Sequence, residues 1–122
     1  MLANVAVISL DMYNQGHKVQ EDNFDDPRIV DYDTLMANLS SLRAGKPTKI
    51  PIYDFKQSKR IGYETLEVPE SRIIIIEGIH ALSERLQGLM DLKIAITGGV
   101  HFDLVKRVRT WRKCPHSVLC DL

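Results

Sequence analysis

Arg72-Ile73-Ile74-Ile75-Ile76-Glu77-Gly78 is the stretch whose reading decides the fold. Four successive isoleucines are apolar on both faces of an extended chain. β-Branched side chains favour a strand, and a strand apolar on both faces belongs in the centre of a parallel sheet. The run stops at Glu77-Gly78, so a carboxylate stands where the strand leaves the core. Toward the N-terminus, Val5 to Leu10 repeats the design: an apolar strand that ends in Ser9, Leu10 and Asp11. Toward the C-terminus, Leu92 to Thr97 reads as a third core strand, closed by Gly98-Gly99.

Helical patterns lie between and after these strands. Leu35, Leu39 and Leu42 fall on one face, Asp33 can cap the helix, Gly45 ends it and Pro47 prevents its resumption. Ala81 to Met90 reads as a second helix, with Leu82, Leu86 and Leu89 on one side. Phe102 to Val108 reads as a third, and Pro115 bars its continuation. Lys49 to Tyr53 and Tyr63 to Val68, around the basic connection Lys56 to Arg60, read as an antiparallel ribbon, with Pro51 marking an edge strand. Residues Met12 to Asp31 are polar and acidic and read as a long loop. Strands alternating with helices predict an α/β fold: a partial parallel sheet with flanking helices and a small antiparallel β-ribbon.

Composition narrows the function. The chain has 122 residues, 44% of them apolar, and a formal net charge of zero. That size suits one small domain. Zero net charge argues against a general nucleic-acid or membrane-surface binder, which needs a positive excess. No apolar run approaches a membrane span, and the first residues lack a basic, apolar leader pattern. The two cysteines, Cys114 and Cys120, make no disulfide framework, so a reduced, cytoplasmic setting is expected.

In open parallel sheets ligands bind beyond the C-terminal ends of the strands. Asp11 and Glu77 both occupy such ends. Either carboxylate can take a proton from a substrate hydroxyl or orient water around magnesium. The bland alternative for each alone is a strand simply meeting water; the pair at one sheet end is more informative. Asn23-Phe24-Asp25-Asp26-Pro27 offers a ring that can stack on a base and an aspartate that can bind sugar hydroxyls, or else an ordinary acidic turn. Tyr53 and Phe55 on the ribbon can wall a pocket, with Lys59-Arg60 to neutralise phosphate, or else pack as a solvated hairpin. Lys106, Arg107 and their basic neighbours can stabilise a phosphoryl group, or form a solvated helix face. Cys114, His116 and Cys120 have no partner cluster and are not read as a metal site. His17, His80 and His101 are isolated. The sequence contains no G-x-x-x-x-G-K-S/T phosphate loop.

The order of motifs is more specific than any one of them. VISLDMYN, NFDDP, YDTLMANL, GKPTKIPIYDFKQSKR, IIIIEGIHAL and DLKIAITGGVHFDLVKRV, running from Val5 to Val108, resemble the uridine kinase and phosphoribulokinase family of P-loop kinases. PIYDFKQSKRIGYETLEVP and TGGVHFDLVKRV are most similar to the kinase-like domain of plant proteins that also carry a triphosphate tunnel metalloenzyme domain. The resemblance implies an ATP- and magnesium-dependent phosphotransferase acting on a nucleoside or related small acceptor. It implies Asp11 as general base, Phe24 and Asp25 bordering the nucleoside, Tyr53 and Phe55 lining the base pocket, and Glu77 as the acidic residue associated with magnesium. Arg60 is expected to contact the substrate, and Lys106 and Arg107 to begin the helix leading to a basic lid.

Three departures shape what is expected. The family's first strand and phosphate loop should lie just before Val5. Gln57-Ser58 stands where uridine kinases place a base-recognising histidine. Beyond Val108 the sequence diverges, so residues 1–108 read as an incomplete kinase-like domain and 109–122 as a tail. Such a chain is expected to be inactive alone. Other readings are a non-catalytic remnant that pairs with another copy through an open sheet edge, or part of a pyrophosphate- or triphosphate-hydrolysing fusion protein.

Overall fold

The computed structural model describes residues 4–21, 23–101 and 104–105. They divide into two compact units. One comprises the described residues through Asp54 together with Ser58–Ala81; the other comprises Phe55–Gln57 and the described residues from Leu82 onward.

In the first unit, β1 (Ala6–Ser9) pairs in parallel with β4 (Ile74–Glu77) in the register Ala6↔Ile74 through Ser9↔Glu77. Both strands therefore finish at the same end. The isoleucine run predicts a strand buried on both faces, and the pair departs from this. Ala6 and Ile8 are buried, but Val7 is 55% and Ile75 43% exposed. A face is buried only where another layer covers it, and among the described residues of this unit the second face has no such cover.

The helix α1 (Tyr32–Arg43) buries Leu35, Leu39 and Leu42, the three leucines of the expected face. Its cap is not Asp33 but Asp31, whose Oδ1 accepts from the Thr34 amide at 3.1 Å. Asp33 is exposed within the first turn. A capping side chain must come from the residue before the first helical one, and in Asp31-Tyr32-Asp33 that is the earlier aspartate. At the other end Gly45 takes φ +76°. Its amide donates to Leu42 and that of Lys46 to Ser41, which closes the helix with a left-handed residue.

The expected ribbon is present: β2 (Thr48–Asp54) pairs antiparallel with β3 (Lys59–Leu66). The register slips between Ile52 and Tyr53, so Ile52 faces Gly62 while Tyr53 faces Arg60. Ile61 is the extra residue of this bulge and is 57% exposed.

The segment between β1 and α1 is more ordered in kind than a plain loop. It holds three short 3-10 turns, Leu10–Tyr13, Gly16–Lys18 and Pro27–Ile29. Its two ends are joined: Gln15 N donates to Ile29 O and Asp31 N to Tyr13 O, each at 2.8 Å.

The second unit corrects two expectations. The helix expected over Ala81 to Met90 is a single turn, α2 (Glu84–Gln87), with Leu86 buried and Leu82 37% exposed. Leu92 to Thr97 forms no strand, and Ile94 and Ile96 are 72% and 98% exposed. A strand exists only through a partner's ladder hydrogen bonds, and among the described residues none pairs with this segment. The helix expected from Phe102 to Val108 falls largely outside the described residues. No helix among the described residues is long and apolar enough to cross a membrane.

Candidate functional site

The site is built where β1 and β4 end. Ser9 lies beside Glu77 in register, and Asp11 follows two residues later in the 3-10 turn that leaves β1. Gly78 lets these exits lie close. Its φ of +140° suits glycine, and a side-chain Cβ there would sit 2.9 Å from Leu10 Cβ. Leu10 is itself buried, so neither neighbour has room to yield.

Asp11 carries the electrostatic mark of this crowding. Burial, then the carboxylates of Glu77 and Asp25, push its carboxyl above the ordinary value, and His80 opposes them. Two neighbouring carboxylates thus act on Asp11 at this sheet end. Tyr53 is buried on β2, and its phenol is raised by burial and by the charge of Asp11. Tyr53 therefore belongs to the same neighbourhood.

Phe24 is half-buried and Asp25 exposed in the turn before Pro27. Local bonds shape this turn. Asp25 N donates to Asn23 Oδ1 at 3.1 Å, and Asp26 Oδ1 accepts from Arg28 N at 2.9 Å. The Arg28 side chain also clasps Asp26, holding its carboxyl down at about 2.

Arg60 lies opposite Tyr53 in the ribbon. Its Nη2 donates to Asp31 Oδ2 at 3.1 Å and its Nη1 to Tyr63 Oη at 3.1 Å. The charge expected to meet a substrate phosphate is thus already matched in part by Asp31. Phe55 sits in the turn between β2 and β3 and belongs to the second unit. Lys106 and Arg107 lie outside the described residues.

Sequence reading missed the supports of this site. Tyr13 Oη accepts from Asn38 Nδ2, and Asn38 Oδ1 accepts from Thr48 Oγ1, both at 2.9 Å. This buried chain ties the turn carrying Asp11 to α1 and β2. It also missed Asp31, for which the three-residue spacing Asp31–Thr34 was the available signal, and His80, treated above as isolated.

For magnesium, Asp11 and Glu77 are hard oxygen donors whose mutual repulsion a cation would relieve. Among the described residues no three acidic, histidine or cysteine groups converge to form a direct site. One or both carboxylates could hold magnesium, with waters completing its shell.

The chain is similar to several known proteins. The chain is 63% identical over 107 residues to inorganic pyrophosphatase TTM1 of Arabidopsis thaliana, a match covering 88% of this chain and 17% of that protein. It is 46% identical over 109 residues to uridine-cytidine kinase C of Dictyostelium discoideum, covering 88% of this chain and 24% of that one. The chain thus spans about a fifth of the length of these curated relatives. Its fold superposes on the structure of a possible uridine kinase from Bacillus stearothermophilus with a TM-score of 0.66 at 18% identity, covering 93% of this chain and 63% of the other. The α/β architecture is therefore shared with that structure. A family model, "Phosphoribulokinase / Uridine kinase family", matches residues 6–113, and on that extent of match the chain belongs to the phosphoribulokinase and uridine kinase family.

Proposed function

We propose that this chain forms the acceptor-binding side of a uridine kinase-like, ATP-dependent phosphotransferase, with a nucleoside or related hydroxyl compound as acceptor. The observation that carries the reading is the register Ser9↔Glu77, which sets Asp11 and Glu77 at one end of a parallel pair. Asp11 would accept the proton of the acceptor hydroxyl. Its carboxyl, raised by burial and by the nearby Glu77 and Asp25, is a better base than an ordinary aspartate. Phe24 and Tyr53 would flank the planar base, and Asp25 the sugar hydroxyls. Glu77 would orient the waters of magnesium.

Phosphoryl transfer depends mostly on positioning and charge around the phosphates. Without a phosphate loop in its sequence, this polypeptide alone is expected to bind an acceptor and transfer no phosphate. Titration with uridine and cytidine, followed by backbone NMR, tests the first part. Shifts centred on Asp11, Phe24–Asp25 and Tyr53 are expected, and their absence would refute acceptor binding. Magnesium- and ATP-dependent phosphorylation of a nucleoside, abolished by Asp11→Asn, would refute the second.

The 63% identity to a protein named as an inorganic pyrophosphatase favours a second reading, in which this segment accompanies pyrophosphate-hydrolysing chemistry. Release of phosphate from pyrophosphate by the 122-residue chain would establish it. Acceptor binding without such release favours the first.

A further inference from the structure

His80 lies three residues past Glu77, on the chain that leaves β4, and none of the roles above uses it. Its Nε2 is 2.9 Å from the main-chain oxygen of Asp25. A carbonyl oxygen has no proton to give, so the imidazole must carry one at Nε2 and donate it. That atom is therefore not available as a base toward a substrate. Nor does the ring complete a metal site, since among the described residues no three-ligand group is formed.

What the bond does is mechanical. Within the turn, the bonds Asp25 N to Asn23 and Arg28 N to Asp26 each span two residues and that from Ile29 N to Asp26 O spans three, and they fix its form. Gln15 N, bonded to Ile29 O, anchors the far end of the turn to the start of the same segment. The bond from His80 crosses 55 residues of sequence and ties the turn to the chain that follows Glu77. The proximity also shows in the field of His80, which reaches both Asp11 and Asp26.

We propose that His80 is a positioning residue: by donating to the Asp25 carbonyl it holds the Phe24–Asp25 turn over the strand ends that carry Asp11 and Glu77, as a preformed rim for the acceptor. Substrate-positioning groups need such support, because a rim that must be ordered on binding loses affinity to that ordering. The inference rests on the acceptor-binding reading for its purpose, but its geometry can be tested apart from it.

The test uses the full chain with His80→Gln, which can still donate from a side-chain amide, and His80→Leu, which cannot. Long-range ¹⁵N–¹H correlation on the unsubstituted protein should show the Nε2–H tautomer at pH 8; the Nδ1–H tautomer would overturn the proposal. In His80→Leu the amides of Asn23 and Ile29 should exchange with solvent about fivefold faster, as for loss of one ordinary hydrogen bond. Uridine should bind about fivefold more weakly for the same reason. His80→Gln should restore both toward the parent values, while the α1 amides of Leu39 and Leu42 stay unchanged in either variant. Parent-like exchange in His80→Leu, or equal damage in both variants, would overturn it. If the parent binds no uridine, the acceptor reading fails, and the tautomer and exchange results still decide the role of His80.

Discussion

Asn38 Nδ2 donates to Tyr13 Oη at 2.9 Å, with both side chains buried and 25 residues apart in sequence. Asn38 in turn accepts from Thr48. Neither Asn38 nor Tyr13 touches chemistry, yet the pair fixes the turn from which Asp11 projects. Removing one partner leaves a buried donor or acceptor unpaired, which costs more than the bond itself contributed. Tyr13→Phe should therefore cost about 1–3 kcal/mol, read as a lower urea midpoint at unchanged slope. Asn38→Ala in the Tyr13→Phe background should add less than it does alone, and strict additivity in that cycle would argue that the bond carries no coupling.

Asp11 should weaken the fold that holds it. Its carboxyl is raised above the ordinary 3.8 by burial first and by Glu77 and Asp25 next. Between 3.8 and the raised folded value, the folded chain binds more protons than the unfolded one, so stability from this group falls as pH rises. Above the folded value the penalty is fully present. Asp11→Asn should accordingly melt at a higher temperature than the parent at pH 7, with the gap closing as the pH falls below 3.8. A variant that melts lower at pH 7 would contradict the crowding of carboxylates at this sheet end.

Gly16 is a second place where a loop is set by what a residue lacks. A Cβ built there runs into the carbonyl oxygen of Ser58, with the Ser58 carbonyl carbon at 3.1 Å and Tyr53 Oη at 3.5 Å. Because the obstacle is backbone, it cannot swing aside. Gly16→Ala should push the Gly16–Lys18 turn away from the end of the ribbon and cost about 1–3 kcal/mol, the range for overpacking. Backbone shifts at Ser58 and side-chain shifts at Tyr53 would be the NMR sign. Gly88→Ala, where nothing lies within 4 Å of the added carbon, is the matched control and should be near neutral.

How far this was legible in the sequence follows from the range of each interaction. The Ile74–Ile76 run, the Leu35/Leu39/Leu42 face, Gly45 and the ribbon around Lys56–Arg60 are local patterns, and the structure has all of them. Asp11 and Glu77 were legible as strand ends, and their shared end follows once the strands run parallel. Leu92–Thr97 has the same alternation as a real strand, but pairing is decided by a neighbour that no local pattern contains. The Thr48–Asn38–Tyr13 chain, the His80 bond and the Arg60–Asp31 pair join residues 10 to 55 apart, and nothing in the individual side chains names their partners.

Asp31 is where helix cap and ribbon meet. Its Oδ1 caps α1 through the Thr34 amide, and its Oδ2 accepts from Thr34 Oγ1 at 2.7 Å and from Arg60 Nη2 at 3.1 Å. Burial would raise its carboxyl, but the bonds from Thr34 and Arg60 outweigh that and hold it below 3.8. Stability from this group is therefore fully present above 3.8 and lost as the pH falls through the lowered folded value. Asn can cap but cannot pair with a guanidinium as an anion; Ala can do neither. Asp31→Ala should cost about 2 kcal/mol, roughly 1 for the cap and roughly 1 for the part-buried ion pair. Asp31→Asn should cost about half of that. Denaturant titrations of the parent and both variants at pH 7 and pH 2.5 check this: the parent's advantage over Asp31→Asn should shrink at the lower pH, whereas part of its advantage over Asp31→Ala should persist through the Thr34 contacts. Equal losses in the two variants at pH 7 would place all the energy in the ion pair and none in the cap.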